Sequence, residues 1–237
     1  MCGRYSATHQ EQLVAELELQ WATEEEVAAV LASAPGKPAG IESWWAKRWN
    51  VAPTQPGFVI VERERGGVMT LMRWGLVPHW AKGLGEGVKH INARVETVAG
   101  KAPFREALRK RRCLVAADGF YEWQKDGKKR IPFRFGPADG AAVTFAGIWD
   151  RWKAEAGWIE SFSILTAAAD PLVAPLHDRM PLVILPADRR RWMAAAELPA
   201  EALADLLRPT PLGGWERREA EPWVNAATRE RAAAVPG

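Results

Sequence analysis

The run CLVAADGFYEWQKDGKKRIPFRF, residues 113–135, decides the fold. Cys113 to Ala117, Phe120 to Gln124 and Ile131 to Phe135 are short, apolar and separated by turns, the pattern of consecutive strands. Asp126-Gly127, between the last two, is a strong hairpin signal. Downstream, Val143 to Trp149 and Trp158 to Thr166 read as further strands, followed after a short Pro171 to Leu176 connection by Leu182 to Leu185. Upstream, Phe58 to Val61 and Val68 to Trp74 flank a Gly66-Gly67 turn. Helical spacing is confined to the flanks. It runs from Glu11 to Leu19, from a Thr23 to Glu26 capping box to about Ala34, and through part of Glu96 to Arg111, where Pro103 starts the second half. Asp188 to Ala196 and Glu201 to Leu207 complete the helices. The sum predicts one α+β domain over residues 1–237, with a mainly antiparallel β-rich core and flanking helices. Residues 35–40 read as an inserted loop, Gly83, Gly85 and Gly87 as a flexible segment, and the tail from Arg229 as frayed.

Composition narrows the class. Hydrophobic residues are 48% and charged residues 26% of 237, ordinary for a globular chain with ample core. No run approaches the ~18 apolar residues of a membrane span. Arg4 is followed by polar residues and not by the apolar stretch of a secretory signal, so a cytoplasmic protein without a membrane partner is expected. A reducing compartment disfavours a Cys2–Cys113 disulfide, and Cys113 in its apolar run reads as a buried structural thiol. The formal charge of +3 permits a polyanionic partner. The 13 Trp outnumber Phe and Tyr together and offer flat faces for packing or base stacking.

The chemistry-bearing residues each carry two readings. If Met1 is trimmed, Cys2 presents an α-amine and a thiol on one carbon skeleton. An α-amine titrates near ~7.7–8.0 and a thiol near ~8.5, so a fraction of each is nucleophilic at neutral pH. The plainer reading is an accident of the start codon in a loose tail. Glu122 sits among aromatics in Gly119-Phe120-Tyr121-Glu122-Trp123, where a carboxylate is costly unless paired; an exposed strand face is the plainer account. Asn92 reads as a turn residue or a site amide, His177 as a satisfied core or loop histidine or an acid–base group, and Arg179 as a surface cation or a phosphate contact. Together Cys2, Asn92, Glu122 and His177 supply a nucleophile, an amide, a carboxylate and an imidazole, enough for acid–base chemistry on a covalent intermediate. The two Cys and four His show no zinc-site spacing, so neither metal nor cofactor is expected.

Six blocks in order resemble the SOS response-associated peptidase family, the abasic-site processing proteins. They are Met1-Cys2-Gly3-Arg4, Asn50-Val51-Ala52-Pro53, Trp74-Gly75-Leu76-Val77-Pro78, Asn92-Ala93-Arg94-Val95-Glu96-Thr97, Gly119-Phe120-Tyr121-Glu122-Trp123 and His177-Asp178-Arg179-Met180-Pro181. The similarity runs from Cys2 to at least Leu185, with Ala116 where the family often has proline and a loose match over Trp215 to Asn225. The resemblance implies a β-rich fold with a cationic groove and covalent capture of abasic sites in single-stranded DNA by Cys2 as a thiazolidine, with self-reversal. It also implies Asn92, Glu122 and His177 as active-site partners, and Arg4, Asn50, Trp74, Arg94, Thr166 and Arg179 near DNA, with Trp74 and Trp80 stacking beside bases. A monomer that joins the nucleoid when bound to DNA is expected, and the family's peptidase label refers to removal of Met1. Two other classes fit the residues: an N-terminal-cysteine amidohydrolase resembling class II glutamine amidotransferases, which also begin Met-Cys-Gly, and a non-covalent single-stranded DNA binder.

Overall fold

Strands form where branched and aromatic residues cluster, and helices stay at the periphery. The computed structural model describes residues 2–35, 45–155, 157–194 and 198–228. In chain order the strands are β1 (Tyr5–Ala7), β2 (Gln20–Trp21), β3 (Arg48–Val51), β4 (Pro56–Arg63), β5 (Gly66–Trp74), β6 (Asn92–Arg94) and β7 (Arg112–Ala117). They continue as β8 (Gly119–Asp126), β9 (Lys129–Pro137), β10 (Val143–Ala154), β11 (Gly157–Ala168), β12 (Arg179–Pro181), β13 (Val183–Ile184) and β14 (Trp215–Glu219). The helices are α1 (Gln10–Glu16), α2 (Glu24–Ala32), α3 (Ala102–Lys110), α4 (Arg189–Met193) and α5 (Ala200–Leu206), with 3₁₀ turns at Leu84–His90, Pro186–Asp188 and Pro222–Asn225. This is the expected α+β fold with a β-rich core.

The core is a small barrel. β5, β4, β7, β10 and β11 pair in that order, and β11 returns to β5 in parallel register through Ser161↔Arg73 and Phe162↔Trp74. Closure leaves no free edge among these five strands. Phe58, Ile60, Leu71, Phe145 and Phe162 are among its buried residues. A second sheet, in the order β14-β9-β8-β1-β3, packs on the barrel through aromatics. Tyr5 meets Trp74 edge-on at 5.2 Å and Phe145 at 6.3 Å, and Phe120 meets Phe145 at 6.2 Å. Such pairs contribute ~0.5–1.5 kcal/mol each beyond area burial.

The corner between β7 and β8 pins the first strand. Asp118 accepts from the Ser6 hydroxyl, from the Thr8 backbone N–H and hydroxyl at 2.6 Å each, and from Arg134 at 2.9 Å. Burial alone would push this carboxyl up; the hydrogen bonds and Arg134 outweigh it and hold it below the usual carboxylate range. With Tyr5 opposite Phe120, the Tyr121 N–H donates to the Arg4 carbonyl at 3.0 Å. Residues 2–4 therefore run beside Tyr121 and Glu122.

Local expectations fared unevenly. The Thr23 capping box is present, with the Thr23 hydroxyl accepting from Glu26 N–H and the Glu26 carboxylate from Thr23 N–H. The first turn lies at residues 64–65, not at Gly66-Gly67; Gly66, at φ 101°, is the first strand residue after it. Gly83, Gly85 and Gly87, expected as a flexible segment, take part in a 3₁₀ turn. They fall at the start of and within the Leu84–His90 turn, where a Cβ on Gly87 would lie 2.3 Å from the Gly75 carbonyl oxygen. That close backbone approach is the use of Gly87. Leu182 interrupts the expected 182–185 strand because its N–H donates to Leu165 while its carbonyl accepts from Ala146. Of the 35–40 loop only Pro35 is described, and the tail from Arg229 lies outside the described residues.

Candidate active site

Four segments deliver side chains to one place. The strand register sets Gly3 and Arg4 beside Glu122 on β8. β6 pairs in parallel with β11, Ile164↔Asn92 and Thr166↔Arg94, which brings Asn92 to the first residues: its Nδ2 donates to the Cys2 carbonyl at 2.7 Å. Asn92 Oδ1 is buried and accepts no hydrogen bond from any described residue. His177 ends the connection into β12, and its Nδ1 accepts the Arg179 N–H at 2.9 Å. The same Nδ1 lies 3.0 Å from the Asp178 carboxylate. A cavity of about 720 Å³ is lined by Gly3, Arg4, Glu122, Trp123 and His177, with Lys125, Lys128, Arg130, Leu176 and Asn225 completing the wall.

Burial governs the protonation states. Cys2 is fully buried, and burial, with the Glu122 charge second, pushes its thiol well above the ordinary range. Its Sγ lies 3.6 Å from the Arg4 carbonyl. Glu122 is 6% exposed, so the exposed-face reading does not hold; burial raises its carboxyl, and the nearby His177 charge acts in the opposite direction. Glu122 is therefore within electrostatic reach of both Cys2 and His177. Cys113, by contrast, is a free thiol fully buried on β7.

The residues expected near DNA divide sharply. Arg4 lines the cavity; its guanidinium donates to Asn50 Oδ1 at 2.7 Å and to the Val224 carbonyl at 2.6 Å, and lies 5.7 Å from the Trp123 ring. Arg94 is exposed and shares a strand face with Asn92. Asn50 is fully buried, donating to the Ala226 carbonyl at 2.9 Å, so it positions Arg4 and offers no surface of its own. Trp74 requires correction. It is fully buried, its Nε1 donates to the Ile91 carbonyl at 2.8 Å, and its ring stacks on Phe162, so no face is open to a base. Arg179 also differs from expectation: it forms a bidentate pair with Glu96 at 2.8 and 2.9 Å, donates to the Thr166 carbonyl, and is 8% exposed. Thr166 is fully buried with its hydroxyl turned to the Ala93 carbonyl. Trp80 is 53% exposed.

Sequence reasoning missed Trp123, whose Nε1 donates to Asn225 Oδ1 at 2.6 Å, and the segment 222–227 that straps Arg4 and Asn50 in place. The aromatic Gly119 to Trp123 block was the available signal for Trp123. The strap is recognised by its carbonyls, which carry no sequence signature.

A protein-family model described as SOS response associated peptidase (SRAP) matches residues 1–227. The chain is 33% identical over 180 residues to the abasic site processing protein YoaM of Bacillus subtilis (strain 168), covering 75% of this chain and 79% of that protein. It is likewise 33% identical over 193 residues to the abasic site processing protein YedK of Escherichia coli (strain K12), covering 81% and 79%. A crystal structure of a Bordetella bronchiseptica protein superposes with a TM-score of 0.72 at 29% identity, over 93% of this chain and 100% of that one. A Bacteroides thetaiotaomicron protein gives a TM-score of 0.76 at 23% identity over 93% of each chain, a likeness of fold.

Proposed function

Because the chain belongs to the SOS response associated peptidase family, we propose that it processes abasic sites in DNA, capturing them covalently in single strands through Cys2 once Met1 is removed. The observation that carries this reading is a cavity lined by Gly3, Arg4, Glu122 and His177 with Lys125, Lys128 and Arg130, directly beside buried Cys2, whose carbonyl Asn92 holds.

The ring-opened form of an abasic sugar is an aldehyde. The Cys2 amine adds to it and water leaves, giving an imine. The thiol then adds to the same carbon, its proton passes to the nitrogen, and a five-membered thiazolidine closes. The second addition is intramolecular, and well-oriented reactions of this kind reach effective molarities of ~10⁵–10⁸ M. A thiol that burial keeps protonated needs a local proton acceptor, and Glu122, its carboxyl raised by burial, is suited to carry protons both ways. His177, which lines the cavity, donates a proton to the sugar oxygen as the ring opens. Asn92 holds the Cys2 carbonyl by its amide N–H, and its unpartnered Oδ1 is an acceptor for the amine. Arg4 and Arg94 hold phosphates.

The test is a denaturing gel of the purified protein with abasic single-stranded DNA. A heat-resistant shifted band in wild type, absent in Cys2→Ala and only labile in Cys2→Ser, is expected; a durable band from either variant would refute the ring closure. Glu122→Gln should slow band formation or its reversal, and unchanged rates would remove Glu122 from the mechanism.

A further inference from the structure

We propose that the tip of the β8–β9 hairpin is a phosphate clamp for the nucleotides flanking the captured sugar, with Lys125, Lys128 and Arg130 as its contacts. The proposal rests on the reading of the site given above. Lys125 and Arg130 stand directly opposite each other in the antiparallel register, with Asp126↔Lys129 as the next pair and Lys128 in the two-residue turn. Like charges opposed across strands destabilise a hairpin, and here none of the three cations has an ion-pair partner among the described residues. A fold selected only for its own stability would place a carboxylate in one of the two positions. All three side chains are exposed, yet all three line the cavity that holds Arg4, Glu122 and His177. Guarding a strand edge would not require that alignment.

Geometry assigns the clamp to neighbouring nucleotides and not to the lesion. Lys125 lies three residues beyond Glu122, about 10 Å along an extended strand. Trp123 stands between them, partly exposed, at the junction with a second cavity of about 620 Å³ lined by Gln124, Leu176 and Arg217. The recognised group is thus a run of phosphodiesters.

The triple variant Lys125→Ala/Lys128→Ala/Arg130→Ala tests this with undamaged oligothymidylate, by the slope of log affinity against log salt. Each lost phosphate contact lowers the slope's magnitude by about 0.7 on single strands, so a fall of about 2 is expected. The variant's unfolding temperature should equal or exceed that of wild type, because the opposed charges are gone. Lys110→Ala, an exposed helix lysine away from the cavity, should leave the slope unaltered. The charge-keeping variant Lys125→Arg/Lys128→Arg/Arg130→Lys should restore it. An unchanged slope in the triple variant, or an equal fall in Lys110→Ala, overturns the clamp. If the slope falls as expected while the wild-type protein forms no durable band with abasic DNA, the clamp stands and the capture reading is the one lost.

Discussion

Glu122 shows how much a single environment decides. Its carboxyl lies at the end of a buried strand face, and burial raises its pKa. The native state therefore holds this proton more tightly than the unfolded chain does. The stability associated with the group is full below the ordinary carboxylate range and falls as pH rises through its native pKa. Glu122→Gln should accordingly gain stability relative to wild type between about pH 4 and about pH 8. Paired urea titrations at the two values check this, and a constant difference would contradict the raised pKa. Trp74 is the opposite case, a residue whose aromatic identity suggested stacking and whose position denies it. Trp74→Ala should cost ~3–5 kcal/mol of unfolding free energy, as large core truncations do. Trp74→Phe should leave the affinity for DNA unaltered, whereas loss of an open indole platform would weaken it. Composition offered 13 Trp without distinguishing those that pack from those that contact a ligand, because burial is a property of the closed barrel.

At the scale of elements, the corner at Asp118 joins local stability to the site. It collects Ser6, Thr8 and Arg134 and so sets the register of β1 against β8. Asp118→Ala should destabilise by about 3 kcal/mol, the low end of the ~3–5 kcal/mol for breaking a buried pair, since Arg134 is 26% exposed. With its carboxyl held below the usual range, the stability it contributes is present above that range and lost as pH falls through the native pKa. Acid titration below about pH 4 should therefore weaken wild type more steeply than Asp118→Asn. Most strands were legible because period-two apolar runs and turn residues are local. β1, β2, β3, β6, β12 and β14 were not: each is only two to five residues long, and most of their partners lie far away in sequence. The parallel β5–β11 closure was equally invisible, since it joins Trp74 to Phe162 across a long separation. The helix after Thr23 and the Asp126-Gly127 hairpin were readable from capping and turn chemistry alone.

The whole molecule is organised so that both ends of the described chain meet at the cavity. Residues 222–227 supply the carbonyls of Val224, Ala226 and Ala227 to Arg4, Asn50 and Gln55, while Val224 itself is fully buried. Replacing 222–227 by a glycine-serine stretch of equal length should cost at least the ~1.5–3 kcal/mol of burying one valine. It should also erase the effect of Arg4→Ala on DNA affinity; a double-mutant cycle with no coupling would show the strap to be incidental. The Arg4 to Val224 bond spans 220 positions of sequence. Until residue 224 has been synthesised the Arg4 guanidinium lacks this acceptor, so a side chain that emerges early from the ribosome waits through 220 further residues for its brace.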